Sequence, residues 1–357
     1  MLFDIHTPDR VGIGTIEAYS SMQWIRRYHT AGEFELHIPV TRETSKLLQR
    51  ENLIVKGDEA GIIESIRYTF DGKTQGEVIQ VNGHLLAGYC ARRILWGTVS
   101  HYDNEEDVMV ALAVPAIAQG ARAVQGLTVA PSGGWGVVVS YQSDNENLLD
   151  ALAGLSEASG IGFRVDFNEA GLTFRTYKGM DRSAGQSINP RAIFSREFEN
   201  ILSQEYGEDA RKHANVALVT HTKQEETITT TVGTATGRAR YELAVRAGQV
   251  DRDKDGNDIP PAQQLILMAE QGRETLKSLE VVRALEARAD PAGNLVYKQH
   301  YDLGDIVTVD APSWGVAMDV RITEIKEIYE AGGCSLELTF GKGNMTFKDI
   351  VRWYSNG

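Results

Sequence analysis

The chain has 357 residues, of which 42 % are hydrophobic and 24 % charged; 36 Lys+Arg against 49 Asp+Glu give a formal net charge of −13. This is enough apolar content to bury real cores, which excludes global disorder. The acidic balance argues against a duplex-gripping protein, and Arg26-Arg27 and Arg92-Arg93 are no more than doublets.

The first ninety residues read mainly as β. Val11–Tyr19 and Met22–Tyr28 are candidate strands. Glu33–Pro39 alternates Phe34, Leu36 and Ile38 against Glu33, Glu35 and His37, the period of a half-buried strand. Short helices are expected at Glu43–Gln49 and His84–Arg92. Asp71-Gly72, between Ile62–Phe70 and Glu77–Val81, marks a hairpin.

The middle changes character. Asn104-Glu-Glu-Asp107 opens a helix with a cap and first-turn acids, and Pro115 should kink or end it. The apolar run Val108–Ala118 reads as a buried helix and is too short for the roughly 20 residues of a membrane span. Asp4 interrupts the start of the chain, so no export signal is expected. Ser143-Asp-Asn-Glu146 fits a capping box before Leu148, Leu149, Leu152 and Leu155. Strands Ile161–Phe167 and Leu172–Tyr177 follow, and the Gly/Ser-rich stretch 178–189 is a candidate boundary.

The last part returns to β. A hairpin is expected between Thr227–Val232 and Arg238–Val245. A polar loop, Asp251–Pro261, precedes a helix at Ala262–Ser278 with Leu265, Met268, Gly272 and Leu276 on one face. Leu279–Ala289, Asp305–Val309, Val316–Tyr329 and Ser335–Phe340 read as strands, and Met345–Tyr354 as a terminal helix. Two stretches echo each other: Leu53-Ile-Val55 with Ile63-x-x-Ile66, and Asp305-Ile-Val307 with Ile322-x-x-Ile325. The echo indicates a duplicated β unit.

Tyr19-Ser-Ser-Met-Gln-Trp24, Arg26-Arg27-Tyr28, Gly32–Pro39 and Gly61-Ile-Ile-Glu64 resemble the opening of siphophage tail-associated baseplate hub proteins. Tyr301-Asp-Leu-Gly-Asp-Ile-Val307, Arg321–Ile325 and Gly341 resemble their closing pattern. The resemblance implies a predominantly β, α+β chain with two related tube-type β-barrel domains, an α/β insert and a small helical elaboration. It places the first barrel at 1–98, the inserted α+β domain at 99–190 and the second barrel at 191–245 with 279–344. A loop and helical elaboration take 246–278 and 345–357. It further implies a non-enzymatic virion protein, assembled in the bacterial cytoplasm, that forms a homotrimeric ring. The implied partners are a distal tail protein and the tail tube on one side, and a spike or fibre at the tip. The ring would pass DNA without sequence-specific binding. The alternative is a tail enzyme that degrades cell-wall polysaccharide or peptidoglycan.

No catalytic, cofactor or metal residue is assigned from sequence. Asp251, Asp253 and Asp255 with Gly256 match the first half of a calcium loop, but position twelve is Ala262 rather than a bidentate Glu. The favoured reading is a solvated turn before the helix. The eight histidines form no ligand motif, and His29 and His37 read as packing or surface residues. Cys90 and Cys334 have no zinc or disulfide spacing. Gly12-Ile-Gly and Gly341-Lys-Gly lack the third glycine of a dinucleotide loop. The five tryptophans are dispersed and read as core or interface residues.

Overall fold

The computed structural model describes residues 1–71, 76–223, 226–248, 250–251, 258–279, 281–290 and 292–341. Contacts divide the chain into two compact units. One comprises Met1–Glu205 with Glu286–Gly357, the other Tyr206–Leu285.

The large unit begins with β1 (Phe3–His6), β2 (Gly12–Ile16), β3 (Ser21–Arg27), β4 (Glu33–Pro39), helix α1 (Arg42–Leu47), β5 (Leu53–Lys56), β6 (Glu59–Ile62), β7 (Ser65–Asp71) and β8 (Gly76–His84). A four-stranded sheet in the order β2-β1-β5-β6 faces the β3-β4-β8-β7 part of the main sheet. Phe3, Ile5, Trp24, Phe34, Leu36, Ile38 and Ile79 fill the space between them. The alternation expected in β4 is present: Phe34, Leu36 and Ile38 are buried. The helix expected at 84–92 is a 3-10 segment, Leu86–Arg92.

The insert follows. β9 (Thr98–Asn104) leads into α2 (Glu105–Ala113), which widens at Pro115 into a π-turn over Val114–Ala118. Then come β10 (Leu127–Val129), β11 (Val138–Asp144), α3 (Leu148–Ser159), β12 (Gly162–Asn168) and β13 (Gly171–Tyr177). The α3 cap is not at Ser143. β11 extends through Asp144, so Asn147 caps the helix instead, accepting from the Leu149 N–H at 2.9 Å. Glu146 accepts from the Tyr141 hydroxyl. The leucine face of α3 is buried at Leu148, Leu152 and Leu155. It shares one core with α2 and with Leu53, Val55 and Ile62 of β5 and β6, so the insert packs directly on the first β-module.

The second β-module contains β14 (Ile193–Ser195) and β15 (Ile201–Asp209), of which Ile201–Glu205 belong to the large unit. The small unit follows, with β16 (Val216–Lys223), β17 (Glu226–Val232), β18 (Glu242–Arg246) and α4 (Pro261–Ser278). The expected hairpin between 227–232 and 238–245 does not form. β16 lies between its two neighbours, antiparallel to β17 and parallel to β18. The pairing signal missed in the sequence is Val216-Ala-Leu-Val219, whose Ala217 and Val219 join Val250 and Met268 in a separate core. α4 crosses this sheet closely: a Cβ on Gly272 would lie 2.6 Å from Val219. Residues 216–245, expected in the second barrel, thus form their own sheet under α4. The expected helix at 345–354 and the hairpin residue Gly72 lie outside the described residues.

The chain returns to the large unit through β19 (Val282–Ala289), β20 (Ile306–Ala311), β21 (Val316–Glu330) and β22 (Gly333–Phe340). Phe194, Tyr301 and Phe340 pack together, with ring centroids 5.0 and 5.8 Å from Phe194.

The sequence echo is a repeat of topology. Along the main sheet the order is β15-β19-β22-β21-β3-β4-β8-β7. Each half places its strands in the chain order first, second, fourth, third. β5 pairs with β6 as β20 pairs with the first half of β21, with Leu53 opposite Ile62 and Ile306 opposite Arg321. The 15-residue β21 does in one run what β6 and β7 do in two. Its register shift at Ile322/Glu324 takes the place of the break between β6 and β7. The two halves are joined edge to edge: β21 pairs antiparallel with β3, Glu327 opposite Trp24 and Tyr329 opposite Met22.

Candidate functional site

The joint between the repeats carries the densest buried charge in the large unit. Period two places Glu327 on the core face of β21, between Ile325 and Tyr329, where an aliphatic residue would be ordinary. Its carboxylate meets Lys56 at 2.7 Å and accepts from the Tyr297 hydroxyl at 3.0 Å and from the Tyr329 hydroxyl. On the other side of Lys56 lies Glu59, 3.5 Å away. Glu59 accepts from the Trp24 indole N–H at 2.9 Å and pairs with the Arg26 Nε at 2.5 Å. Arg26 reaches on to Asp302 at 2.6 Å and to the Tyr297 hydroxyl at 2.8 Å. The Lys56 ammonium stands 4.9 Å over the Trp24 ring.

Burial alone would raise the Glu59 carboxyl, but the Arg26 and Lys56 charges overcome this and hold it down to about 2. Burial lowers Lys56, with Glu59 and Glu327 partly offsetting the effect. Burial raises the Tyr297 and Tyr329 hydroxyls, so both remain donors. These carboxylates are saturated by cations and hydroxyl donors, an arrangement that holds elements together rather than moving protons. Trp24, Arg26, Lys56 and Glu59 come from the first repeat; Tyr297, Asp302, Glu327 and Tyr329 come from the second. Of these, Trp24, Arg26, Asp302, Glu327 and Tyr329 fell in stretches singled out in the sequence, and Lys56, Glu59 and Tyr297 did not. The available signal for Glu327 was a charged residue in the apolar phase of a long alternating strand.

A second junction lies beside it. Tyr28 is fully buried and donates to the carbonyls of Gly160 at 3.0 Å or Tyr177 at 3.1 Å. Its ring rests on Gly304, which has φ +91° and where an added Cβ would come within 2.2 Å of Tyr28. Arg321 lies 5.1 Å from the same ring and donates to the Gly304 carbonyl at 2.6 Å. Asp305 accepts from the Met180 N–H and pairs with Arg182 at 2.9 Å. The opening and closing motifs of the sequence therefore meet in space.

The face of the main sheet away from the core is polar. Ser21, Gln23 and Arg27 on β3, with Ile25 among them, continue through Glu33, Glu35 and His37 on β4 to Gln80, Asn82 and His84 on β8. On it Arg27 pairs with Glu33 at 2.6 Å and Glu324 at 2.7 Å, Lys326 with Glu337 at 3.7 Å, and the His37 ring with Glu35 at 2.7 Å, while Arg67, opposite Gln80, is exposed.

Of the residues singled out for metal or proton chemistry, His29 is tied to the Ser156 hydroxyl at 2.7 Å. Asp253, Asp255 and Gly256 of the half-loop lie outside the described residues, and Asp251 stands 3.3 Å from Lys223. Among the described residues no group of three His, Cys, Asp or Glu is placed to hold a metal ion. No described helix is long and apolar enough to cross a membrane.

The sequence profile of the Siphovirus ReqiPepy6 Gp37-like protein family matches residues 2–342. The chain belongs to that family. No curated protein gives a significant sequence match. Its fold is similar to that of a tail protein from Neisseria meningitidis MC58, at 14 % identity and TM-score 0.60, over 95 % of this chain and 96 % of that one. It is also similar to the 43 kDa tail protein of prophage MuSo2 from Shewanella oneidensis, at 12 % identity and TM-score 0.58, over 96 % and 98 % of the two chains. Prophage tail protein gp18 from Listeria monocytogenes EGD-e matches at 10 % identity and TM-score 0.54, over 99 % and 98 %. The family member described here thus has the fold of phage tail proteins, predominantly β, with two related β-modules, an α/β insert and a small helical elaboration.

Proposed function

We propose that the chain is a structural hub subunit of a phage tail, three copies of which close into a ring between the tail tube and the tip. The carrying observation is the repeated strand order, with the two modules joined edge to edge through β3 and β21. Each copy supplies two tiles, so three copies supply a ring of six. Head-to-tail contacts of this kind close when the rotation per tile allows it. The ion network at the joint would keep the two tiles of one copy at a constant angle.

The polar sheet face suits a passage for DNA. Phosphate adhesion needs accessible Lys or Arg. Arg27 and Lys326 on this face pair with carboxylates, exposed Arg67 lies at its β7 margin, and the net charge of −13 disfavours any grip. A distal tail protein and the tube would dock on one rim, and a spike or fibre on the other. The protein would be assembled in the host cytoplasm and found in the tail of the virion.

Light scattering on the purified chain, followed by electron microscopy, tests this reading. A mass near three times 39.3 kDa and a ring with the polar face inward are expected. A closed dimer, or a ring with that face outward, would overturn it.

A further inference from the structure

Among the described residues the main sheet ends in two open strands, β7 and β15. Inside the chain the corresponding strands are not open: β21 is the counterpart of β7, β3 is the counterpart of β15, and the two pair antiparallel. One copy therefore displays both halves of a contact that it also makes internally.

The side chains of β7 carry the argument to residue level. Ladder register equates Ile66 opposite Val81 with Ile325 opposite Leu338. Tyr68 then corresponds to Glu327 and Phe70 to Tyr329. Tyr68 is opposite Ile79, itself fully buried, so it stands on the core face of the sheet. Glu327 and Tyr329 are only 3 % and 8 % exposed, with β3 beside them, whereas Tyr68 and Phe70 are 55 % and 65 % exposed. Soluble proteins blunt an open edge with Lys, Pro, a bulge or a cover. Ser65–Phe70 has no Lys or Pro, its one charge, Arg67, lies on the face opposite to Tyr68 and Phe70, and its pairing with β8 has no register shift. The other open strand is also apolar at its start, with Leu202 56 % exposed.

We infer that β7 is completed by strand Ile201–Glu205 of a second copy, running antiparallel, with Tyr68 and Phe70 covered as Glu327 and Tyr329 are covered by β3. This assignment rests on the ring reading and names its contact. Strand addition supplies main-chain hydrogen bonds, and the two aromatic rings supply the apolar area. The contact is head to tail, so each copy gives one edge and receives the other.

The test uses full-length protein and two readouts. In a concentration series by light scattering, Phe70→Lys and Tyr68→Thr/Phe70→Thr should weaken self-association at least about tenfold. Their monomers should keep the wild-type melting temperature, because both side chains are exposed within one copy. For the second readout, Cys334→Ser removes the exposed thiol, and Thr69→Cys and Ser203→Cys are made on separate chains. A short bis-maleimide should link the mixed pair and leave each variant unlinked on its own, the remaining Cys90 being buried. Oligomers that persist unchanged in the aromatic variants, or links formed by either cysteine variant on its own, would overturn the edge assignment and leave the ring standing. A wild-type chain that stays monomeric throughout the series and gives no mixed link would overturn both. Association only with a different tail protein through β7 would also overturn the assignment to a second copy.

Discussion

Lys56 of the first repeat and Glu327 of the second form an ion pair of 2.7 Å with both side chains almost fully shielded from water. A buried pair of this kind is weak evidence for net stabilisation, because desolvation offsets most of the attraction. Removing one member is another matter, since the other charge is then stranded. Glu327 also serves two tyrosine hydroxyls, so the network depends on it more than on any single cation.

Glu327→Leu should therefore destabilise the large unit by about 3–5 kcal/mol. Lys56→Met combined with Glu327→Leu should recover most of that loss, because no uncompensated ammonium remains. Urea unfolding of the two variants decides the matter. A double variant as unstable as the single would show that the tyrosine contacts, not the stranded charge, set the cost.

Gly304 is held at φ +91° with the Tyr28 ring directly against it. Gly304→Ala meets both a backbone conformation that L-residues avoid and a ring with no room to retreat. A loss of about 2–4 kcal/mol is expected. Pairing it with Tyr28→Leu should relieve the steric part only. Thermal melts of the single and double variants measure the two parts separately.

His29 responds to pH with a definite sign. Burial, reinforced by the nearby Arg321 charge, lowers its pKa to about 4. An unfolded histidine titrates near 6.5, so below that pH the unfolded chain takes up a proton that the folded chain refuses. Stability should fall as pH drops from about 6.5 to about 4, by on the order of 2 kcal/mol, and this contribution should level off below. His29→Gln should flatten that part of the stability curve while the Ser156 contact is retained. An unaltered slope in the variant would place the titration elsewhere.

Sequence alone determined which segments could bury a face. The alternation of Phe34, Leu36 and Ile38 specified β4, the leucines of 148–155 specified α3, and the echo of Leu53–Ile66 with Asp305–Ile325 specified a duplicated unit. These signals are local, because side-chain period follows directly from backbone geometry. Partner choice was decided only by the tertiary structure. Nothing near 227–245 told β17 and β18 to flank β16 rather than each other, since ladder hydrogen bonds are the same for any compatible edge. The joint was likewise hidden. Lys56, Glu59 and Glu327 lie up to 271 residues apart in the chain, and three surface-type residues acquire a buried role only when β3 and β21 pair and exclude water around them.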